Sequence, residues 1–248
     1  MLTHPTLDTL HNLGLYGLAK GFKELANNAG AAGLEHAEWL GIILEHEVTL
    51  RRDKRFQARI RAARLRQTAT IEDVDFKTHR GLDRTLLLKL ATGSWIKAQQ
   101  NLIITGPCGV GKSWLACALG NRACRDDLSV LYWRAPRLFA ALALARGDGR
   151  YQKLLKEIAK PHLLVIDDWG PEPLSPENAR DLLEIVEDRH GRGSLLITSQ
   201  VPVDRWYDII ANPTLADAVL DRIIHNAHRI GLSGDSLRKT RAPELSAT

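Results

Sequence analysis

Gly106-Pro107-Cys108-Gly109-Val110-Gly111-Lys112-Ser113 decides the fold of this 248-residue chain. Its spacing, G-x-x-x-x-G-K-S, is that of a phosphate-binding loop, in which each fixed position has a mechanical reason. The three glycines allow successive backbone N–H groups to point inward at phosphate oxygens. The Lys112 ammonium then reaches the β- and γ-phosphates, and the Ser113 hydroxyl is placed to ligate Mg²⁺. Before the loop, Asn101-Leu102-Ile103-Ile104-Thr105 has the pattern of a buried strand. After it, Trp114 to Cys124 is rich in Leu and Ala and predicts a helix whose N-terminus faces the anion.

Downstream, the apolar run Leu163-Leu164-Val165-Ile166 stops at Asp167-Asp168. Two carboxylates at the C-terminal edge of a parallel sheet point into the crevice where α/β proteins bind ligands. Beside a phosphate loop, the first acid, Asp167, is expected to hold Mg²⁺ through water, and the second, Asp168, to polarise the attacking water. Further strands are predicted at 130–133 and 194–198, with helices over 112–125, 137–145 and 176–190. Strand and helix in alternation mean an α/β fold with a parallel sheet covered on both faces. Beyond Ser199 the pattern turns helical. Leu220, Ile223, Ile224 and Ala227 share one stripe, which predicts a helix over 215–228 packed as a lid.

From Leu7 to about Arg66 the periodicity is helical, with a break expected at Gly30 and Gly33. The chain therefore divides into a small all-helical domain, residues 1–68, and a phosphate-loop domain, residues 69–248. The helical part holds the densest charge: Arg51, Arg52, Lys54, Arg55, Arg59, Arg61, Arg64 and Arg66 against the single acid Asp53. Like charges at i, i+4 destabilise a helix, so several of them call for a partner. Phosphates of double-stranded DNA are one such partner, and arginine suits bidentate contacts to them. A solvated face, or a docking surface for an acidic patch on another subunit, is the alternative. We take Arg51, Arg52, Lys54, Arg55, Arg59 and Arg61 as the DNA-binding set.

Composition adds bounds rather than identity. A formal charge of +5, pI near 9.2, 44% hydrophobic and 25% charged residues are ordinary for a soluble domain with a proper core. Cys108, Cys117 and Cys124 have no metal-ligand spacing and read as reduced thiols. No stretch has the length of a membrane span and the N-terminus lacks a signal-peptide layout, so a cytoplasmic protein is expected.

The elements after Asp168 narrow the class. Thr198-Ser199-Gln200 ends a strand beside the γ-phosphate. Arg222 lies opposite the apolar stripe of its helix, where it can serve as a finger for the nucleotide of an adjacent subunit. Gly234-Asp235-Ser236-Leu237-Arg238 offers another arginine. In the order phosphate loop, Ile166-Asp167-Asp168-Trp169-Gly170, Ile197-Thr198-Ser199-Gln200, Leu215-Ala216-Asp217-Ala218-Val219-Leu220-Asp221-Arg222 and Gly234 to Arg238, the sequence resembles the IstB family. These are the ATP-binding helpers of insertion-sequence transposition, relatives of the helicase loader DnaC within AAA+ ATPases.

The resemblance spans nearly the whole chain and includes the junction Thr70 to Phe76. It implies an AAA+ P-loop fold and an ATPase that uses ATP and Mg²⁺, with nucleotide at the interfaces of a homo-oligomer. It further implies assembly on double-stranded DNA, selection of the target site and activation of a partner transposase. By position, Lys112, Asp168 and Arg222 match catalytic residues, and Ser113 and Asp167 match metal ligands. Gly106 to Trp114 together with Gln200 and Arg238 match nucleotide-binding residues. The chain departs from the common pattern at Asp168, where many AAA+ proteins have Glu, and at Gln200, where many have Asn. A shorter carboxylate reaches less far toward water, which implies slow turnover without DNA or transposase. A helicase loader shares the same core, whereas a small-molecule kinase gives the basic helix no role. A DNA-binding scaffold that keeps ATP only as structural glue would also accommodate the shorter Asp168.

Overall fold

Leu163, Leu164, Val165 and Ile166 are all buried, because the strand they form has helices on both faces. In the computed structural model, which describes residues 4–170, 172–210 and 212–237, five strands form one parallel sheet. They are β1 (Asn101–Thr105), β2 (Val130–Arg134), β3 (Leu163–Trp169), β4 (Ser194–Ser199) and β5 (Ala227–Gly231), in the order β2-β3-β4-β1-β5. Side chains alternate across the sheet. Ile103, Leu164, Ile166, Leu195 and Ile197 enter one hydrophobic core with Leu138, Leu142, Leu182, Ile185, Val219 and Ile223. Residues of the opposite parity, such as Leu102, Ile104 and Val165, are equally buried on the other face.

The N-terminal unit is helical: α1 (Pro5–Asn12), α2 (Tyr16–Ala26) and the long α3 (His36–Ala63), with a 3₁₀ turn, Ala29–Gly33, at the expected break. α2 and α3 touch at Gly17, where a Cβ would lie 2.5 Å from the Glu47 Cα. The buried Glu47 carboxylate takes a hydrogen bond from Arg51 Nε at 2.6 Å. It also accepts from the N–H groups of Gly17 (2.7 Å) and Leu18 (3.1 Å), which the first turn of α2 leaves unpaired. The Arg51 bond, followed by these N–H groups, holds the Glu47 carboxyl below the ordinary carboxylate range against the opposing cost of burial.

The remaining helices are α4 (Arg84–Ala91), α5 (Ser94–Lys97), α6 (Lys112–Arg125), α7 (Ala135–Gly147), α8 (Tyr151–Ala159), α9 (Pro176–Arg189), α10 (Trp206–Ile210) and α11 (Pro213–Ile224). α6 packs on β1, β3 and β4, while α7 packs on β2 and β3 and α9 on α11. Two compact units divide between Ala58 and Arg59, ten residues before the junction read from sequence. The reason lies in the second unit. Arg59 pairs with Asp127 at 2.6 Å, and Leu65 packs over Gly120, so the end of α3 belongs with α6.

One expectation is corrected. The helix predicted over 215–228 ends at Ile224, and Ala227 and His228 are strand residues in β5, parallel to β1. α11 is also no lid: Ala216, Val219 and Ile223 are buried in the layer that covers the sheet. The free edge of β1 needs a partner for its backbone groups, and Asn101 N–H begins the pairing by donating to Asn226 O at 2.8 Å. His228 and Arg229 are polar and the strand is five residues long, so its period-2 signal was hidden behind the helical stripe. Among the described residues no helix is long and apolar enough to cross a membrane.

Candidate functional site

β1 ends at Thr105 and α6 begins at Lys112, so the loop between them stands at the C-terminal edge of the sheet. All three of its glycines, Gly106, Gly109 and Gly111, adopt positive φ. At Gly106 (φ +150°) a Cβ would lie 2.4 Å from the Leu232 carbonyl oxygen, and at Gly111 (φ +96°) 2.6 Å from Arg80 Nη1. Lys112 is mostly buried, and its ammonium donates to the carbonyl oxygens of Gly106 and Pro107 at 2.7 Å each. Arg80, also buried, donates to Val110 O (3.0 Å) and Asp75 O (3.2 Å), which ties the segment before α4 to the loop. From the other side, Leu237 N–H donates to Gly109 O at 3.0 Å and Ser233 N–H to Arg80 O at 2.9 Å.

The paired acids end β3 differently from each other. Asp167 is fully buried, and its two oxygens accept from the hydroxyls of Tyr132 and Thr198, both at 2.5 Å. Burial first, and then the bond to Asp167, push the Tyr132 hydroxyl up, so it remains a proton donor. Asp168 adopts φ +64°, a left-handed conformation uncommon outside glycine, where the β3–β4 register shifts between Ile166 and Trp169. Thr198 Oγ1 accepts from Asp168 N–H at 3.1 Å. This twist turns the Asp168 carboxylate outward, and Arg134 Nη2 pairs with it at 2.6 Å. The same carboxylate raises the Arg134 guanidinium above the ordinary arginine range.

These elements surround one cavity of about 590 Å³. Of the residues singled out from sequence, Cys108, Gly109, Gly111, Lys112, Ser113, Trp114, Asp168, Thr198 and Gln200 line it. Gly106, Pro107 and Val110 lie behind the lining, and Asp167 sits beneath it. Ser199 Oγ turns away to donate to Trp169 O at 2.8 Å. Arg238 lies outside the described residues. Arg66, Gln67, Asp73, Asp75, Arg80 and Arg134 also line the cavity and were missed. For Arg134 a signal existed: it is the last residue of β2, and strand ends at this edge face the ligand crevice. Arg80 and Arg66 reach the cavity through tertiary packing alone.

The donors fit Mg²⁺, which takes oxygen ligands and retains several waters and phosphate oxygens. Ser113 supplies a hydroxyl in the cavity and Asp167 a carboxylate already oriented by two hydroxyls. Among the described residues no three His, Cys, Asp or Glu side chains converge on one point.

Arg222 is elsewhere. The Asn101 side chain, at the first residue of β1, donates to Arg222 O (3.2 Å) and Ile223 O (3.1 Å), which puts Arg222 at the opposite edge of the sheet from the loop. Its guanidinium donates to Ala218 O at 2.8 Å and pairs with Glu187 at 3.2 Å. The basic set on α3 is not uniform. Arg51 is paired with Glu47, Lys54 lies 4.8 Å over the Tyr16 ring, and Arg59, only partly exposed, is paired with Asp127. Arg52, Arg55 and Arg61 are exposed.

With this geometry in view, comparison with known proteins is specific. The family profile described as IstB-like ATP binding protein matches residues 8–244. An insertion sequence ATP-binding protein of Sinorhizobium fredii, y4pL, is 60% identical over 241 residues, 97% of this chain and 98% of its own. Among solved structures, DnaI superposes with a TM-score of 0.58 at 24% identity, covering 66% of this chain and 91% of that one. The DnaC helicase loader superposes at 0.57 with 20% identity, covering 66% and 96%.

Proposed function

This chain belongs to the IstB-like ATP-binding proteins, and from that premise we propose that it is a DNA-dependent AAA+ ATPase of insertion-sequence transposition. It assembles on double-stranded DNA as a homo-oligomer in the cytoplasm, selects the target site and activates the transposase of its element. The observation that supports the reading best is the separation of Arg222 from the cavity that holds Lys112 and Asp168. An arginine at the far edge of the sheet cannot serve its own subunit, whereas a head-to-tail neighbour presents it to the next cavity.

Each residue then has a defined task. The loop N–H groups and the α6 N-terminus cradle the triphosphate. Lys112 leaves the Gly106 and Pro107 carbonyls for phosphate oxygens. Ser113, and Asp167 through water, hold Mg²⁺, which when bound neutralises charge on the β- and γ-phosphates. Gln200 orients the terminal phosphate or the water. Asp168 accepts a proton from that water only after Arg134 releases its carboxylate, so basal turnover is expected to be slow. Arg222 of the neighbouring subunit stabilises charge in the transition state. On α3, the exposed Arg52 and Arg55 contact phosphates directly, and Arg51, Lys54, Arg59 and Arg61 do so by exchanging their present partners.

The test is subunit mixing. ATP hydrolysis is measured with and without duplex DNA for wild type, Lys112→Ala, Arg222→Ala and a mixture of the two variants. Duplex DNA should stimulate wild type, each variant alone should be inactive, and the mixture should recover activity because one subunit keeps its cavity and the other its arginine. A mixture as inactive as its components would rule out the shared site.

A further inference from the structure

The cavity is lined by four cations, Arg66, Arg80, Lys112 and Arg134, and three acids, Asp73, Asp75 and Asp168, and the cations are not equally engaged. Lys112 donates to two loop carbonyls, Arg80 to two backbone carbonyls, and Arg134 is paired with Asp168. Arg66 lines the same cavity, is exposed, and forms no ion pair among the described residues.

Its position follows from how the end of α3 lies on α6. Arg59 is tied to Asp127, just beyond the C-terminus of α6. Leu65 packs over Gly120 in the middle of that helix, and the Arg66 and Gln67 backbone lies near Cys117, where it partly counters the rise that burial imposes on the thiol. Arg64, at φ +53°, turns the chain as it leaves α3. The segment thus runs along α6 toward its N-terminus, and Arg66 stands one turn from Ser113. Its charge is felt at the Tyr132 hydroxyl, the group that donates to Asp167. This is the side of the cavity toward which a metal and the terminal phosphate would lie.

We propose that Arg66 is a phosphate-contacting residue of the nucleotide site and favours a triphosphate over a diphosphate. A guanidinium meets phosphate oxygens through paired N–H groups, and it gains most from the phosphate that carries the most charge. The proposal rests on the reading of the cavity as an ATP site, and its test separates the two.

Equilibrium binding of fluorescently labelled ATP and ADP, with Mg²⁺, is measured on the full chain carrying Arg66→Ala, Arg66→Lys or Lys112→Ala. Arg66→Ala should weaken ATP about tenfold, equivalent to about 1.4 kcal/mol, and ADP less than about twofold. Arg66→Lys should fall between wild type and Arg66→Ala for ATP. Equal weakening of both nucleotides would mean a structural role, and unchanged ATP affinity would mean no contact; either overturns the proposal. Wild-type binding by Lys112→Ala would instead overturn the ATP reading itself.

Discussion

The two edges of the sheet use similar residues to opposite ends. At the N-terminal edge, Asn101 and Arg189 are consumed by the fold. The Asn101 amide donates to two carbonyls and accepts from Leu195 N–H at 2.9 Å. Arg189 is 1% exposed and donates to the carbonyls of Ile158, Ala159, His162 and Ser194. Two of these lie at the C-terminal end of α8, where a cation is favoured. Burial still pulls the Arg189 guanidinium down to about 10, a cost that the four acceptors offset. At the C-terminal edge the cations hold carbonyls or a carboxylate beside an open cavity, and the backbone is strained at Asp168. A polar group that closes the fold has nothing left to offer a ligand. One held by a loop carbonyl can exchange it for phosphate.

The comparison breaks first, and furthest, at Lys112. Lys112→Ala should lower nucleotide affinity by about a hundredfold or more, since it removes a charge directed at the ligand, while thermal unfolding without nucleotide stays near wild type. Arg189→Leu should do the reverse. Removing the bonds to four carbonyls, of which those to Ile158 and Ser194 are buried, costs about 3 kcal/mol, read as a lower midpoint in urea unfolding, with nucleotide affinity below that midpoint unchanged. If Arg189→Leu weakened nucleotide binding in the folded protein, the two edges would not be independent.

Smaller effects sharpen the contrast. Arg134→Ala releases the Asp168 carboxylate from its 2.6 Å ion pair and should raise basal ATP turnover about threefold while reducing further stimulation by DNA. A fall in basal turnover would show that Arg134 assists hydrolysis rather than restraining it. Glu187→Gln frees Arg222 from a pair that is exposed at Glu187 and half-buried at Arg222, and should raise turnover about twofold, at subsaturating protein concentration only. An equal rise at every concentration would place the effect within one subunit.

Much of this was legible because it is local. The phosphate loop, the strand before it and the helix after it are contiguous, and the predicted helix over 112–125 has the same bounds as α6. The acids at 167 and 168 follow an unbroken apolar run, which only a strand buried on both faces sustains. β5 was missed because its sequence is too short and polar to outweigh the helical stripe before it. What makes it a strand is the unpaired edge of β1. Arg80 and Arg66 carry no motif, and they line the cavity because one bonds to the loop backbone and the other lies on α6.

The sequence by itself determined the chemistry at the sheet edge, because a phosphate cradle is built from neighbouring residues whose spacing is its geometry. The tertiary structure alone decided which charges are available to it. Asp167 is held beneath the cavity by hydroxyls from β2 and β4, Asp168 is held by Arg134, and Arg222 stands at the other end of the sheet. Those pairings join residues that are neighbours only after the strands align, so no periodicity along the chain encodes them.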